Sequence, residues 1–243
     1  VPDRITEDLG DLPRLSQPVA TVGLLLMRSY VLSGDTAHYD AVIAAYTARN
    51  IQVIPAFASG LDNRPAIETF FKSEEGAQID ALVSLTGFSL VGGPAYNDAA
   101  AAVETLKSLD VPYATALPLE FQTLSQWAAS TQGLGPIENT MLVALPELDG
   151  ATLPTVFAGR HGHETCQGCA RQCHGGQSQA MAPCYERIET LVARTAKLAI
   201  LRRAARAQRR VGVVLFGFPP NAGATGTAAY LNVFASLWNT LNA

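Results

Sequence analysis

Residues 21–27 read TVGLLLM, seven uncharged positions in which polar and apolar side chains do not alternate. A strand with one wet face would alternate every second residue, whereas a short unbroken apolar run of this kind fits a strand covered on both faces, as in a parallel sheet. The pattern recurs at 52–58 (QVIPAFA), 81–85 (ALVSL), 113–116 (YATA) and 140–144 (TMLVA). Stretches with helical spacing lie between these runs at 38–48, 64–71, 98–109 and 120–129. Strand and helix in strict alternation is the grammar of βαβ units. The expected fold is therefore α/β: a doubly wound, mainly parallel, flavodoxin-like sheet over residues 19–150, after a Pro- and Asp-rich lead at 1–18.

The whole chain supports that reading. Its 243 residues are 48% hydrophobic and 16% charged, enough to fill one large core or two ordinary ones and unlike a disordered chain. The longest apolar runs, 22–27 and 211–218, fall far short of the ~20 residues of a membrane-crossing helix. The first twenty residues have neither a basic region followed by an apolar one nor an initiator Met, so the expectation is an internal segment of a cytoplasmic protein. No integral membrane contact is expected, and peripheral association stays open.

The net charge of −4 is unevenly spread. Between residues 185 and 210 eight basic side chains face only Glu186 and Glu189. A basic run of this kind is read as the solvated face of a long helix. No aromatic residue interleaves with the arginines after Tyr185 to offer a base-stacking platform, so no nucleic-acid partner is expected.

Ligands of doubly wound sheets gather at the carboxyl ends of the strands. The segments expected there are SGDTAHYD (33–40), ASGLDNRP (58–65), TGFSLVGGPAYND (86–98), ALPLEFQT (116–123) and LPELDG (145–150), rich in Gly, Ser and carboxylates. Asp98 and Asn97 are read as helix caps, and His38 as structural. Glu147 and Asp149, just past an expected buried strand, are candidate proton acceptors or metal relays, with a plain Asp-Gly turn as the alternative. Glu189 is a weaker candidate of the same kind.

Residues 151–184 interrupt the alternation and contain all four cysteines. Cys166, Cys169, Cys173 and Cys184 follow the spacing C-x2-C-x3-C-x10-C inside a Gly-rich stretch. Four thiolates suit a [4Fe–4S] cluster or tetrahedral Zn²⁺, and the tight triplet with a distant fourth Cys favours the cluster. Disulfides are the competing reading. The segment 185–243 is expected to hold the long helix, a strand at 211–218, a Gly-rich loop PPNAGATG (219–226) and a helix from 227: the start of a second α/β unit. That loop lacks the Lys-Ser/Thr of a phosphate loop, so its amides at Gly223 and Gly226 are candidates for a ligand carboxylate rather than for ATP, with a plain tight turn as the alternative.

Several long motifs occur in one order: GDTAHYDAVIAA, VIPAFASGLDNRPAIETFF, SLTGFSLVGGPAYND, ALPELDGAT, VFAGRHG and GFPPNAGATGTAAYLNVF. Together they resemble the large H-subunit family of magnesium chelatase over essentially the whole chain. The Cys-bearing insertion is similar to the bacteriochlorophyll branch, and the cobalt chelatase large subunits are more distant relatives. The resemblance implies a porphyrin-binding catalytic subunit that inserts Mg²⁺ into protoporphyrin IX while the I and D subunits, its partners, hydrolyse ATP. It also implies that these residues form an internal slice of a longer subunit, inactive alone. In that setting Glu147, Asp149 and Glu189 become candidates for stripping the Mg²⁺ hydration shell and taking the pyrrole protons. Phe88, Leu90 and Tyr96 become part of a porphyrin wall, and the basic helix or Gly223–Gly226 contacts for the propionates. Rival readings are a flavodoxin-like module holding FMN or a nucleotide, and an iron–sulfur redox or sensing module.

Overall fold

The computed structural model describes residues 5–93, 96–171, 173, 180–215 and 232–242. It divides into two compact units, Val1–Arg203 and Ala204–Ala243. The first contains strands β1 (Ala20–Leu25), β2 (Ile51–Ala56), β3 (Lys72–Ser73), β4 (Gly76–Ala77), β5 (Ala81–Ser84), β6 (Tyr113–Leu119), β7 (Thr152–Gly159) and β8 (Ala182–Pro183). Its helices are α1 (Arg28–Ser33), α2 (Ala37–Thr47), α3 (Arg64–Phe70), α4 (Ala99–Leu109), α5 (Leu124–Ala129), α6 (Pro136–Glu138), α7 (Leu145–Leu148) and α8 (Tyr185–Arg203). The main sheet runs β2-β1-β5-β6-β7-β8, parallel throughout except for the antiparallel edge strand β8. With the β3–β4 hairpin set aside, this is the flavodoxin-like order 2-1-3-4-5.

The unbroken apolar runs are buried on both faces. Val22 and Leu24 of β1 join Val83, Ala116 and Phe157 under α2 and α8, whose Tyr46, Ile188, Leu191 and Val192 complete that layer. The intervening Leu25 faces Ala56, Leu82, Ile67 and Phe71 on the α3 and α4 side. Gly23 lies on β1 because a Cβ there would stand 2.9 Å from Ile79 and 3.1 Å from the Phe71 ring. Asp98 caps α4 through the Ala101 amide, as expected. Thr123 and Gln126 form a reciprocal capping box at the start of α5, so this helix begins later than position 120.

Three expectations change. Residues 140–144 are helical: Asn139–Ala144 forms a π-helical turn continuous with α6 and α7, and the fifth parallel strand is β7. The Gly135-Pro136 start favours helix, with Glu138 accepting from the Gly135 amide at 3.1 Å. The run TMLVA then buries Leu142 while leaving Thr140 and Ala144 exposed, one face of a helix rather than two faces of a strand. Secondly, the long helix ends at Arg203 and packs on the first sheet, where Tyr46 and Thr195 hydroxyls meet at 2.5 Å. Its arginines are partly neutralised, with Arg187 on Glu186 at 2.6 Å and Arg203 on Asp80 at 2.8 Å. Thirdly, residues 211–215 form no strand, and 216–231 lie outside the described residues. In the second unit, α9 (Val233–Asn242) carries Phe234, Trp238 and Leu241 along one exposed stripe. Among the described residues no helix is long and apolar enough to cross a membrane.

Candidate functional site

The change at residues 140–144 moves the expected carboxylates. Residues 145–150 now precede β7 instead of following a strand. Glu147 is exposed on α7. Asp149 is fully buried and accepts three hydrogen bonds. One of its carboxylate oxygens accepts from the Ser89 hydroxyl and the Leu90 amide, both at 2.7 Å, and the other from the Asn97 side-chain amide at 2.9 Å. Asp149 therefore holds the 86–98 loop, with three of its roughly four acceptor sites taken. Asn97 belongs to that network and does not cap α4. Glu189 is elsewhere, on α8, paired with Arg49 at 2.7 Å. Glu189 thus stands apart from Glu147 and Asp149, which both belong to α7 and its C-terminal cap.

The 86–98 loop itself is closed. Gly92, with φ +128, lets the chain fold so tightly that a Cβ there would lie 1.9 Å from the Tyr96 carbonyl. Leu90 is fully buried beneath the loop rather than lining a wall. Phe88 is half-buried against Leu117 and Leu142, and with Leu26, Met27 and Ser89 it reduces the crevice between β1 and β5 to about 10 Å³. Tyr96 is 66% exposed. The residues expected to form a porphyrin wall therefore do not enclose one. Gly223 and Gly226 lie outside the described residues.

The four cysteines do come together. Cys166, Cys169, Cys173 and Cys184 line a single pocket of about 520 Å³ with Trp127 and His161. The backbone brings the loop back on itself, with the Cys166 amide donating to the Cys173 carbonyl at 2.9 Å. All four are free thiols in this structure. Burial pushes the Cys173 and Cys184 thiols up from their ordinary value, and the neighbouring Cys169 and Cys166 add to the rise. Soft donors gathered at one pocket fit an iron–sulfur or zinc site in chemistry. In geometry they do not close: among the described residues no three His, Cys, Asp or Glu side chains stand as a metal-ligating group.

Contacts not foreseen from the sequence tie this insertion to the loop after β1. The Asp35 carboxylate accepts from the Met181 amide at 3.0 and 3.2 Å, and the Tyr30 hydroxyl donates to Glu120, which also takes Arg160 at 2.8 Å. These partners are up to 146 positions apart, so no local spacing marks them. Beneath them His38 is fully buried. Its ring lies 3.9 Å from Tyr39 and 5.0 Å from Tyr30, and neither nitrogen meets a hydrogen-bond partner. Burial pulls its pKa down to about 4, against the raising charges of Asp35 and Asp40.

The crevice closed between β1 and β5 reopens one strand away. A cavity of about 780 Å³ lies beyond the carboxyl ends of β1 and β2, floored by Leu26, Pro55, Phe57 and Phe70 and roofed by the lead segment.

Comparison with known proteins places this architecture. Residues 7–243 match the family model described as CobN/Magnesium Chelatase. The chain belongs to that family. Within the CobN/magnesium chelatase family it is similar to the H subunit of magnesium chelatase from Cereibacter sphaeroides, at 64% identity over 100% of this chain and 21% of that protein. It is 43% identical to the chloroplastic magnesium-chelatase subunit ChlH of Oryza sativa subsp. indica, over 94% of this chain and 16% of the relative. Among solved structures it resembles the catalytic subunit of cobaltochelatase from Mycobacterium tuberculosis, with TM-score 0.69 and 25% identity over 91% of this chain and 18% of that one. The chain thus spans about a fifth of the length of these CobN/magnesium chelatase relatives.

Proposed function

We propose that these residues form part of the porphyrin-binding catalytic subunit of a magnesium chelatase, which inserts Mg²⁺ into protoporphyrin IX in bacteriochlorophyll or chlorophyll biosynthesis. The observation that carries the reading is the gradient of identity: 64% to the H subunit of a magnesium chelatase against 25% to a cobaltochelatase subunit of the same fold. Mg²⁺ is a hard ion that sheds water reluctantly, and the porphyrin must lose two pyrrole protons, so insertion needs an external energy source. In this reading the I and D subunits hydrolyse the ATP, consistent with a sequence that has no G-x4-G-K-[ST] loop. The site of action is cytoplasmic, with membrane contact limited to peripheral association.

The test is reconstitution of the full-length subunit that contains these residues with the I and D subunits, ATP, Mg²⁺ and protoporphyrin IX. The expected product is magnesium protoporphyrin, read by its fluorescence shift. Turnover only with Co²⁺ and a corrinoid would move the protein to the cobalt branch.

For the cysteines we propose a [4Fe–4S] cluster, with Zn²⁺ as the alternative, held by Cys166, Cys169, Cys173 and Cys184. The support is the single pocket that all four thiols line. When bound, a cluster would supply one-electron redox chemistry, and either metal would close the loop between β7 and β8 into a fixed shape. Anaerobic purification followed by iron, sulfide and zinc analysis decides between them, and a chain free of all three removes the proposal.

A further inference from the structure

We infer that the cavity beyond β1 and β2 is a binding site for a flat, apolar molecule bearing a carboxylate, and that Arg28 receives that carboxylate. The identification of the ligand as a tetrapyrrole rests on the function proposed above; the chemistry of the site comes from the cavity itself.

At about 780 Å³ the space falls within the range of small-molecule sites. It also lies at the carboxyl ends of parallel strands, where doubly wound sheets take their ligands. Its floor is apolar, formed by Leu26, Pro55, Phe57 and Phe70. Its roof is the lead segment, with Leu9 and Leu12 turned onto the cavity. That roof is held in place: Asp8 caps the turn through the Gly10 amide at 2.7 Å, and the Leu15 amide donates to the Gln52 side chain of β2 at 2.9 Å. Polar groups collect at the mouth, among them Arg28, Thr36 and the carboxylates of Glu7 and Asp40.

Arg28 is set apart from the other arginines on these loops. Arg64 is neutralised by Asp62 at 2.6 Å and Arg160 by Glu120 at 2.8 Å. Among the described residues no hydrogen bond or ion pair engages the Arg28 guanidinium, although Glu7 and Asp40 line the same mouth. An unpaired guanidinium beside an apolar cavity is suited to receive a carboxylate by a charge-assisted, bidentate contact. The two acidic residues repel a second anion and so restrict the acidic edge of a ligand to the Arg28 side. The apolar body would then lie over Phe57 and Phe70, displacing water from both. A neutral flat molecule would gain the second contribution and not the first.

The test titrates the 243-residue chain with protoporphyrin IX and, separately, with its dimethyl ester, following quenching of porphyrin and protein fluorescence. Arg28→Gln is expected to weaken protoporphyrin binding about tenfold, the scale of one charge-assisted hydrogen bond, and to leave the ester unchanged. Leu32→Glu adds a charge to the cavity wall at a half-exposed position and is expected to weaken both ligands at least tenfold. Both positions face solvent, and circular dichroism of each variant should match the parent. Unchanged affinity for protoporphyrin in both variants would overturn the inference while leaving the chelatase reading in place. No binding by the parent chain would also overturn it, and magnesium insertion by the full-length subunit would still report separately on that reading.

Discussion

Two loops leave neighbouring strands at the same edge of the sheet and end in opposite states. The loop after β5 is sealed by polar contacts: Asp149 takes Ser89, Leu90 and Asn97, and the crevice beside it shrinks to about 10 Å³. The loop after β1 rests instead on aromatic packing, with His38 among Tyr30, Tyr39 and Phe157, and leaves a cavity of about 780 Å³ on its far side. Topology alone marks the β1/β5 switch point as the place for a ligand. Side chains decide otherwise here: the loop after β5 is held by a buried carboxylate, and its Phe88 and Ser89 leave almost no space in the crevice. Sequence order locates the edge of the sheet on which to look, and the polar contacts within each loop determine which part of that edge is open.

Removing Asp149 should do the most damage. Asp149→Ala leaves a buried hydroxyl, a backbone amide and a side-chain amide without their acceptor, each costing about 1–3 kcal/mol. With partial relaxation, the expected loss is about 3–5 kcal/mol in urea denaturation at every pH where the parent is folded. A loss under about 1 kcal/mol would mean that the sealed loop does not depend on this carboxylate. Asp149→Asn keeps the shape and one acceptor oxygen, so it should recover part of the loss.

Acid should act on the other loop. His38 has its pKa lowered to about 4 in the folded chain, against 6.5 when unfolded, so between those values the unfolded state binds more protons. Its contribution is therefore intact above pH 6.5, falls as pH drops towards 4, and amounts to about 3 kcal/mol in total. The charges of Asp35 and Asp40 favour the imidazolium and so oppose the burial that opens this window. His38→Phe keeps an aromatic ring in the cluster and should lose this slope. The measurement is the difference in unfolding free energy between parent and variant from about pH 7.5 down to about pH 4, which spans the window between the two values. A difference that stays constant would show that His38 is solvated and that the β1 loop has no acid-labile support.

Most of the sheet could be read from the sequence because its strands are buried on both faces, and burial of that kind leaves a local mark in an unbroken apolar run. Residues 140–144 carry the same mark for a different reason. Their apolar side chains continue a helix begun at Pro136, and only Leu142 is fully buried. That single misreading placed Glu147 and Asp149 after a strand, whereas they precede β7. The cysteine pocket was legible because its four residues lie within nineteen positions of each other and share a chemistry. Arg28 was not, since what distinguishes it is the lack of a partner, and the pairings of Arg64 and Arg160 that make this visible depend on the folded loops.

Glu189 separates a surface contact from a catalytic one. Its pair with Arg49 has side chains 49% and 34% exposed, so water screens the attraction and the pair is worth at most about 1 kcal/mol. Glu189→Ala should lower stability by no more than that, and by less in about 1 M salt, with magnesium insertion by the full-length subunit unchanged. A large loss of turnover at normal stability would return Glu189 to the chemistry.

The smallest effect is expected at Glu147, and its absence would be the informative result. A carboxylate just beyond a strand would face the ligand crevice, but α7 places Glu147 before β7, exposed and outside the lining of the open cavity. A general base must come within about 3 Å of the proton it takes, directly or through one water, and Glu147 is not among the residues that line the cavity. In the full-length subunit Glu147→Ala should therefore insert Mg²⁺ at the parent rate, with protoporphyrin affinity also unchanged. A drop of tenfold or more in turnover with affinity preserved would place the reacting centre beside α7, and the apolar cavity could then serve only to bind a tetrapyrrole away from the metal.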